Sequence, residues 1–343
     1  MCFVNRNYSI LKKEGRMQLK WVRSLIALML AAGLAACGNE EKANQENSDK
    51  LQVYTTVFPL EDFTNKIGGD YVEVKSIYPP GADEHTFEPS QKDMMQLADA
   101  DLFFYIGLGL EGFVDQASDT LKAENVEMIA TAQSLDQEEL ANHTHEDEHA
   151  HEDEHAHENE HNHEEGHVHH DIDPHVWLDP QYAKSLANEI KEVLIEKMPE
   201  QKETFETNFE QLSADLDSID AQMKETVEHA EHKQIIVSHA AYGYWEKRYG
   251  LEQLAINGLS SSSEPSQKQL KTIIDEAKKA DARYILFEQN VSSKLADVVK
   301  NEIGAEPLSI HNLSVRTEED IKNGEDYVSL MKKNIETLSK ALQ

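Results

Sequence analysis

The sequence predicts an α/β protein of two lobes, each carrying a parallel sheet, joined by one long rigid helix. Two observations predict it. Short apolar segments rich in Val, Ile, Phe and Tyr alternate with helical patterns in two separate series, and that alternation implies parallel sheets covered on both faces. Between the series, residues 199–230 contain no Gly and no Pro beyond the Pro199 that opens them. At 343 residues the chain is long enough for two lobes of ordinary size.

In the first series, residues 51–60, 71–78, 101–107 and 126–130 read as strands, with helices over 89–98 and 110–122. The second has strands at 235–237, 251–256, 284–287 and 307–310, and helices at 267–280, 292–303 and 318–342. The N-terminal lobe is expected over 51–198 and the C-terminal lobe over 231–343. In the stretch between them, Phe205, Phe209, Leu212, Leu216, Ile219, Met223 and Val227 recur at spacings of four and three, one face of a helix. Such a helix would be roughly 45 Å long, enough to run along both lobes. An ordinary core helix or a coiled-coil seam gives the same pattern.

The first 36 residues read as an address label. Lys20 and Arg23 precede an apolar run from Ser24 to Ala36 that is too short to span a bilayer as a mature helix. The run ends in Leu34-Ala35-Ala36-Cys37, which resembles the lipobox of bacterial lipoproteins, whose cysteine is acylated and becomes the new N-terminus. A signal peptide with an incidental cysteine is the competing reading. Met17 would give a leader of ordinary length. Residues 37–50 are then a tether, polar from Asn39 onward, and the protein is expected outside the cytoplasm, anchored to the cell membrane by lipidated Cys37. Cys2, the one other cysteine, leaves with the leader, so no intramolecular disulfide is expected.

The chain carries 32 basic and 65 acidic residues. Removing residues 1–36, which hold six basic and one acidic, leaves 26 and 64, a net charge of −38. That charge argues against nucleic acid or an anionic membrane surface as a partner and suits a cationic ligand.

Residues 143–170 are low in complexity and hold eleven of the seventeen histidines, in the repeat HEDEHA, HEDEHA, HENEHN, HEEGHV that starts at His145. His143, His145, His149, His151, His155, His157, His161, His163, His167, His169 and His170 alternate with carboxylates. The segment has almost nothing apolar to bury and is expected to stay disordered without metal. Imidazoles beside carboxylates suit weak, multivalent binding of Zn²⁺, Cu²⁺ or Ni²⁺, whereas a solvated charged loop is the plainer reading. His145-Glu146-Asp147-Glu148-His149 also matches the HExxH pattern of zinc proteases. That pattern needs an amphipathic helix, and this repeat has no apolar face.

Outside the repeat, His85 occurs in Pro79-Pro80-Gly81-Ala82-Asp83-Glu84-His85, directly after a strand, and His175 in Asp173-Pro174-His175-Val176-Trp177-Leu178-Asp179-Pro180, just before a helix. His239 ends a strand in Ile235-Ile236-Val237-Ser238-His239, as Glu288 does in Tyr284-Ile285-Leu286-Phe287-Glu288. Ligands of open α/β sheets bind beyond the carboxyl ends of strands. Two candidates come from each lobe, so a cleft between lobes could close around one metal ion. Any of them alone reads as a hydrogen-bonded loop residue. Together they make a tetrahedral set of three imidazoles and one carboxylate, which Zn²⁺ favours.

At these motifs the sequence resembles the metal-binding solute receptors of ABC importers, and among them the zinc-uptake lipoproteins of the ZnuA/AdcA type. The resemblance covers residues 50–343. It implies two (β/α)₄-like lobes joined by one long helix, Zn²⁺ between them as the bound metal, and a membrane permease as partner, with the receptor a monomer. In such proteins the His-rich insert precedes the second ligand motif, where residues 143–170 stand. Manganese relatives typically carry a carboxylate at the third ligand, whereas this chain has His239. Glu288 is carried over as the fourth ligand, with Glu84 or water as alternatives. Zinc or copper buffering, an adhesin-type surface role, and a metal-dependent hydrolase are the competing functions. No Ser-His-Asp set is evident, and a closed four-ligand site leaves no position for substrate, so no enzyme activity is expected.

Overall fold

The computed structural model describes residues 50–141, 172–290 and 294–343. The expected leader, Cys37, the tether up to residue 49 and all eleven histidines of 143–170 lie outside the described residues. Leu51–Gln343 is one compact unit. The first series runs β1 (Leu51–Thr55), α1 (Phe58–Gly68), β2 (Val72–Ser76), α2 (Gln91–Leu97), β3 (Leu102–Tyr105), α3 (Gly112–Ala123), β4 (Glu127–Ala130) and α4 (Gln137–Ala141). Two helices follow, α5 (Pro180–Lys197) and α6 (Lys202–Glu228). The second series runs β5 (Gln234–His239), α7 (Gly243–Tyr249), β6 (Glu252–Asn257), α8 (Gln267–Lys279), β7 (Tyr284–Glu288), α9 (Lys294–Ile303), β8 (Glu306–Ile310), α10 (Glu318–Asn323) and α11 (Tyr327–Ala341).

Both sheets are four-stranded and parallel, in the orders β2-β1-β3-β4 and β6-β5-β7-β8. The two halves therefore repeat one topology. In each, the first and third strands of the series lie at the centre; His239 and Glu288 end the central β5 and β7, whereas the loop that carries His85 follows the edge strand β2.

Several boundaries differ from the sequence reading. The expected strand over 51–60 ends at Thr55, and α1 begins at Phe58 with Pro59 in its first turn. The run Val57-Phe58-Pro59-Leu60 looks strand-like by composition, yet Phe63 and Ile67 continue its burial at helical spacing. The expected helix over 318–342 breaks into α10 and α11 at Gly324, which takes φ 69°. Thr317 and Asp326 each cap a new start, exchanging side-chain and backbone bonds with Asp320 and Ser329. Helix α7 was not expected. Its seven residues are too few to show a period.

The connecting stretch folds as a short 3₁₀ turn, Pro199–Gln201, followed by the 27-residue α6. Of its seven-residue stripe, all are buried except Phe209, which is partly so and packs on the same core. Helix α6 packs against α1 and α5 from the first half and α11 from the end of the chain. One continuous apolar core consequently runs from the first sheet through these helices to one side of the second sheet. A smaller core of Ile236, Ile256, Ala277, Ile285, Ala296 and Val299 lies between the second sheet and α8 and α9. Among the described residues, no helix is long and apolar enough to cross a membrane.

Candidate metal centre

His175 sits in the segment that leads into α5, and its surroundings are built by its neighbours in sequence. Oδ1 of Asp173 accepts from the His175 backbone N–H at 2.9 Å and lies 2.7 Å from Nδ1 of the ring. One carboxylate oxygen thus fixes both the turn and the imidazole, leaving Nε2 unprotonated and pointing away. Asp179, four residues on, caps α5 by accepting from Gln181 N at 2.8 Å and pairs with Arg248. Trp177 Nε1 donates to Asn312 O at 2.7 Å, Trp245 Nε1 to Leu178 O at 2.7 Å, and Tyr244 Oη to Asp173 O. The segment is therefore clamped by large side chains and by bonds from the second half of the molecule.

His239 ends β5 and is fully buried. Its Nδ1 lies 2.8 Å from Oε1 of Glu288, which also accepts from Ser238 Oγ at 2.8 Å. The other Glu288 oxygen accepts from Asn312 Nδ2 at 3.2 Å. The structure thus places Glu288 behind His239, while the ligand atoms that lie within 4.8 Å of one another come from Glu84, His85, His175 and His239. The cause is the position of Glu288 at the end of β7, beside β5, so that its carboxylate reaches the near side of the His239 ring.

His85 belongs to the loop between β2 and α2, which has no helix or strand of its own. Its Nε2 lies 3.1 Å from His175 Nε2, and His239 Nε2 lies 3.3 Å from the same atom. Oε1 of Glu84 is 3.9 Å from His85 Nε2. These four side chains each offer a ligand atom within 4.8 Å of the others. Both oxygens of Glu84 are held as well, Oε2 by Ser314 Oγ at 2.8 Å and Oε1 by Asn312 Nδ2 at 3.1 Å.

The electrostatics suit a cation. Burial lowers His85 to about 3 and holds His175 well below its ordinary value, with the neighbouring imidazoles adding to both, so each presents a lone pair at neutral pH. Burial also opposes charge on His239, but the facing Glu288 carboxylate outweighs it and raises His239 to about 9. Its proton on Nε2 then accounts for the close approach to His175. Burial pushes Glu84 up to about 7, against the pull of His239. A divalent ion would replace the shared proton and relieve the crowding of nitrogens.

Of the four residues expected in the cleft, the structure brings His85, His175 and His239 to one point, sets Glu288 behind them and adds Glu84. Asp173, Asn312, Ser314 and Ser238 carry the supporting bonds and were not singled out by sequence. Asp173 was readable, since an acidic residue two before a histidine in a turn can bond its own chain. Asn312 and Ser314 gave no such indication.

Residues 53–341 match the family described as "Zinc-uptake complex component A periplasmic". The zinc-binding lipoprotein AdcA of Streptococcus pneumoniae is 36% identical over 325 residues, 93% of this chain and 60% of that protein. The chain thus spans about 60% of that relative's length. The high-affinity zinc uptake system protein ZnuA of Bacillus subtilis is 33% identical over 94% of this chain and 98% of its own length. Among solved structures, the Zn(II)-bound ZnuA-like domain of pneumococcal AdcA superposes with a TM-score of 0.66 at 33% identity, covering 85% of this chain and 99% of that domain. With its two parallel sheets, its long helix and its buried histidine cluster, this chain belongs to the ZnuA family of zinc-uptake components.

Proposed function

We propose that this protein is a receptor that captures Zn²⁺ outside the cytoplasm and hands it to the membrane permease of an ABC importer, held at the membrane by lipidated Cys37. His85, His175 and His239 are the zinc ligands in this reading. Glu84 or water completes the shell, and Glu288 tunes His239 from behind. The histidines of 143–170 are weak, exchangeable sites. The chain acts as a monomer and carries no enzyme activity.

The observation that supports this best is the convergence of three Nε2 atoms, with the 3.1 and 3.3 Å separations noted above and two of the rings fixed from behind by carboxylates. Carboxylate-backed imidazoles are the usual support of zinc. Three imidazoles and few hard oxygens also favour Zn²⁺ over Mn²⁺, so competition calorimetry should find zinc much the tighter. Equal affinities would contradict the assignment. The direct test is X-ray absorption on the one-zinc form, which should show three imidazole shells. A spectrum without them removes the site. Poor growth of a deletion strain in zinc-limited medium, restored by added zinc, separates uptake from buffering or adhesion.

A further inference from the structure

Four consecutive residues of the loop that carries His85 are each bonded from the second half of the molecule. The Gly81 N–H donates to Arg316 O at 3.1 Å. Ala82 O accepts from Asn290 Nδ2 at 3.3 Å. Asp83 Oδ2 accepts from Ser261 Oγ, and Glu84 accepts from Ser314 and Asn312 as described. The backbone N–H of His85 then donates to Oδ1 of Asp83 at 3.0 Å. Asp83 therefore works with both oxygens: one sets the backbone of His85, and the other is held across the cleft by Ser261. Ser261 is itself fixed, because Asn257 Nδ2 donates to its carbonyl at 2.9 Å. Asn257 stands opposite His239 in the β5–β6 register. A continuous path through protein groups alone, His239 to Asn257, Ser261, Asp83 and His85, joins the two histidines.

We propose that Asp83 and Ser261 are positioning residues that govern how long zinc stays in the cleft, because the bond between them must break before His85 can withdraw. This rests on the zinc reading of the cleft. Since the loop has no secondary structure of its own, these bonds decide where His85 stands. A hydrogen bond to a carboxylate is among the stronger kinds.

Ser261→Ala removes the donor and little else. Zinc dissociation into excess chelator should quicken about tenfold, the lower end of what such a bond contributes, while X-ray absorption still counts the same imidazoles. Ser261→Thr, which keeps a hydroxyl, should restore the wild-type rate. In the metal-free protein, hydrogen exchange at the Gly81 and His85 amides should rise in Ser261→Ala, a readout in which zinc takes no part. Unchanged dissociation from Ser261→Ala that melts like wild type overturns the proposal, and so does a faster rate that Ser261→Thr fails to reverse. A wild-type chain that holds no zinc through imidazoles overturns the zinc reading and this proposal together, whatever the exchange experiment gives.

Discussion

Asp173 and Glu288 do the same work on two different histidines: each occupies Nδ1 and so assigns Nε2 to the site. Replacing such a partner by its amide keeps the shape but weakens the hold on the ring. Asp173→Asn should therefore lower zinc affinity by roughly 10–100-fold, the range typical for groups that orient ligands. His175→Ala should cost far more. Chelator competition checks both, and equal losses would mean that Asp173 is itself a ligand. At this scale the three histidines were legible from their motifs, His85 in the loop after β2, His175 ahead of the capped start of α5 and His239 at the end of β5, and the structure brings their side chains together. Glu288 was legible as a strand-end carboxylate, but sequence gives the strand end and not the direction of approach. Asn312 and Ser314 were silent. They reach Glu84 from 228 and 230 residues away in the chain, a separation that no local pattern records.

Helix α6 connects the two halves because its stripe meets helices from both. Leu216 and Met223 are fully buried on it, whereas Phe209 is only partly covered. Leu216→Ala should thus destabilise the protein by about 2–5 kcal/mol, through lost transfer energy and the cavity left behind. Phe209→Ala should cost less than Leu216→Ala per atom removed. Urea unfolding measures both, and a cost below about 1 kcal/mol at Leu216 would show that the α6 seam is not a packed core. This helix was read from sequence because 27 residues give many repeats of one period. Short elements gave too few. Helix α7 was missed for that reason, and α1 was partly read as strand because its first turn is apolar and follows β1 directly.

For the whole molecule, the site's protons link metal binding to pH. His239 is raised to about 9 in the metal-free protein, so zinc must displace a proton from it at neutral pH. Calorimetry in buffers of differing ionisation enthalpy should register release of about one proton or more per zinc at pH 7, Glu84 adding to it. No release would mean that His239 is neutral in the empty cleft. Stability follows the same groups with opposite signs. His85 and His175 are depressed from 6.5, so they destabilise the fold as pH falls below 6.5, where the unfolded chain takes up their protons. His239 contributes stability that is full below 6.5 and lost as pH rises through 9. The metal-free protein should accordingly melt highest near neutrality.

The eleven histidines of 143–170 stand among ten carboxylates in a repeat with almost nothing apolar to fold around, so their metal affinity should be modest and should fail first on acidification. Among the described residues, Glu84, His85, His175 and His239 already form a cluster that could hold one ion. Deleting it should remove several weak zinc sites and leave one tight site, with folding intact, because a polar insertion contributes little to the core and loop closure depends only weakly on length. Zinc stoichiometry and affinity of the deletion variant, by chelator competition, decide the matter. If the tight site goes with the segment, the loop supplies a primary ligand, and the three-histidine assignment is incomplete.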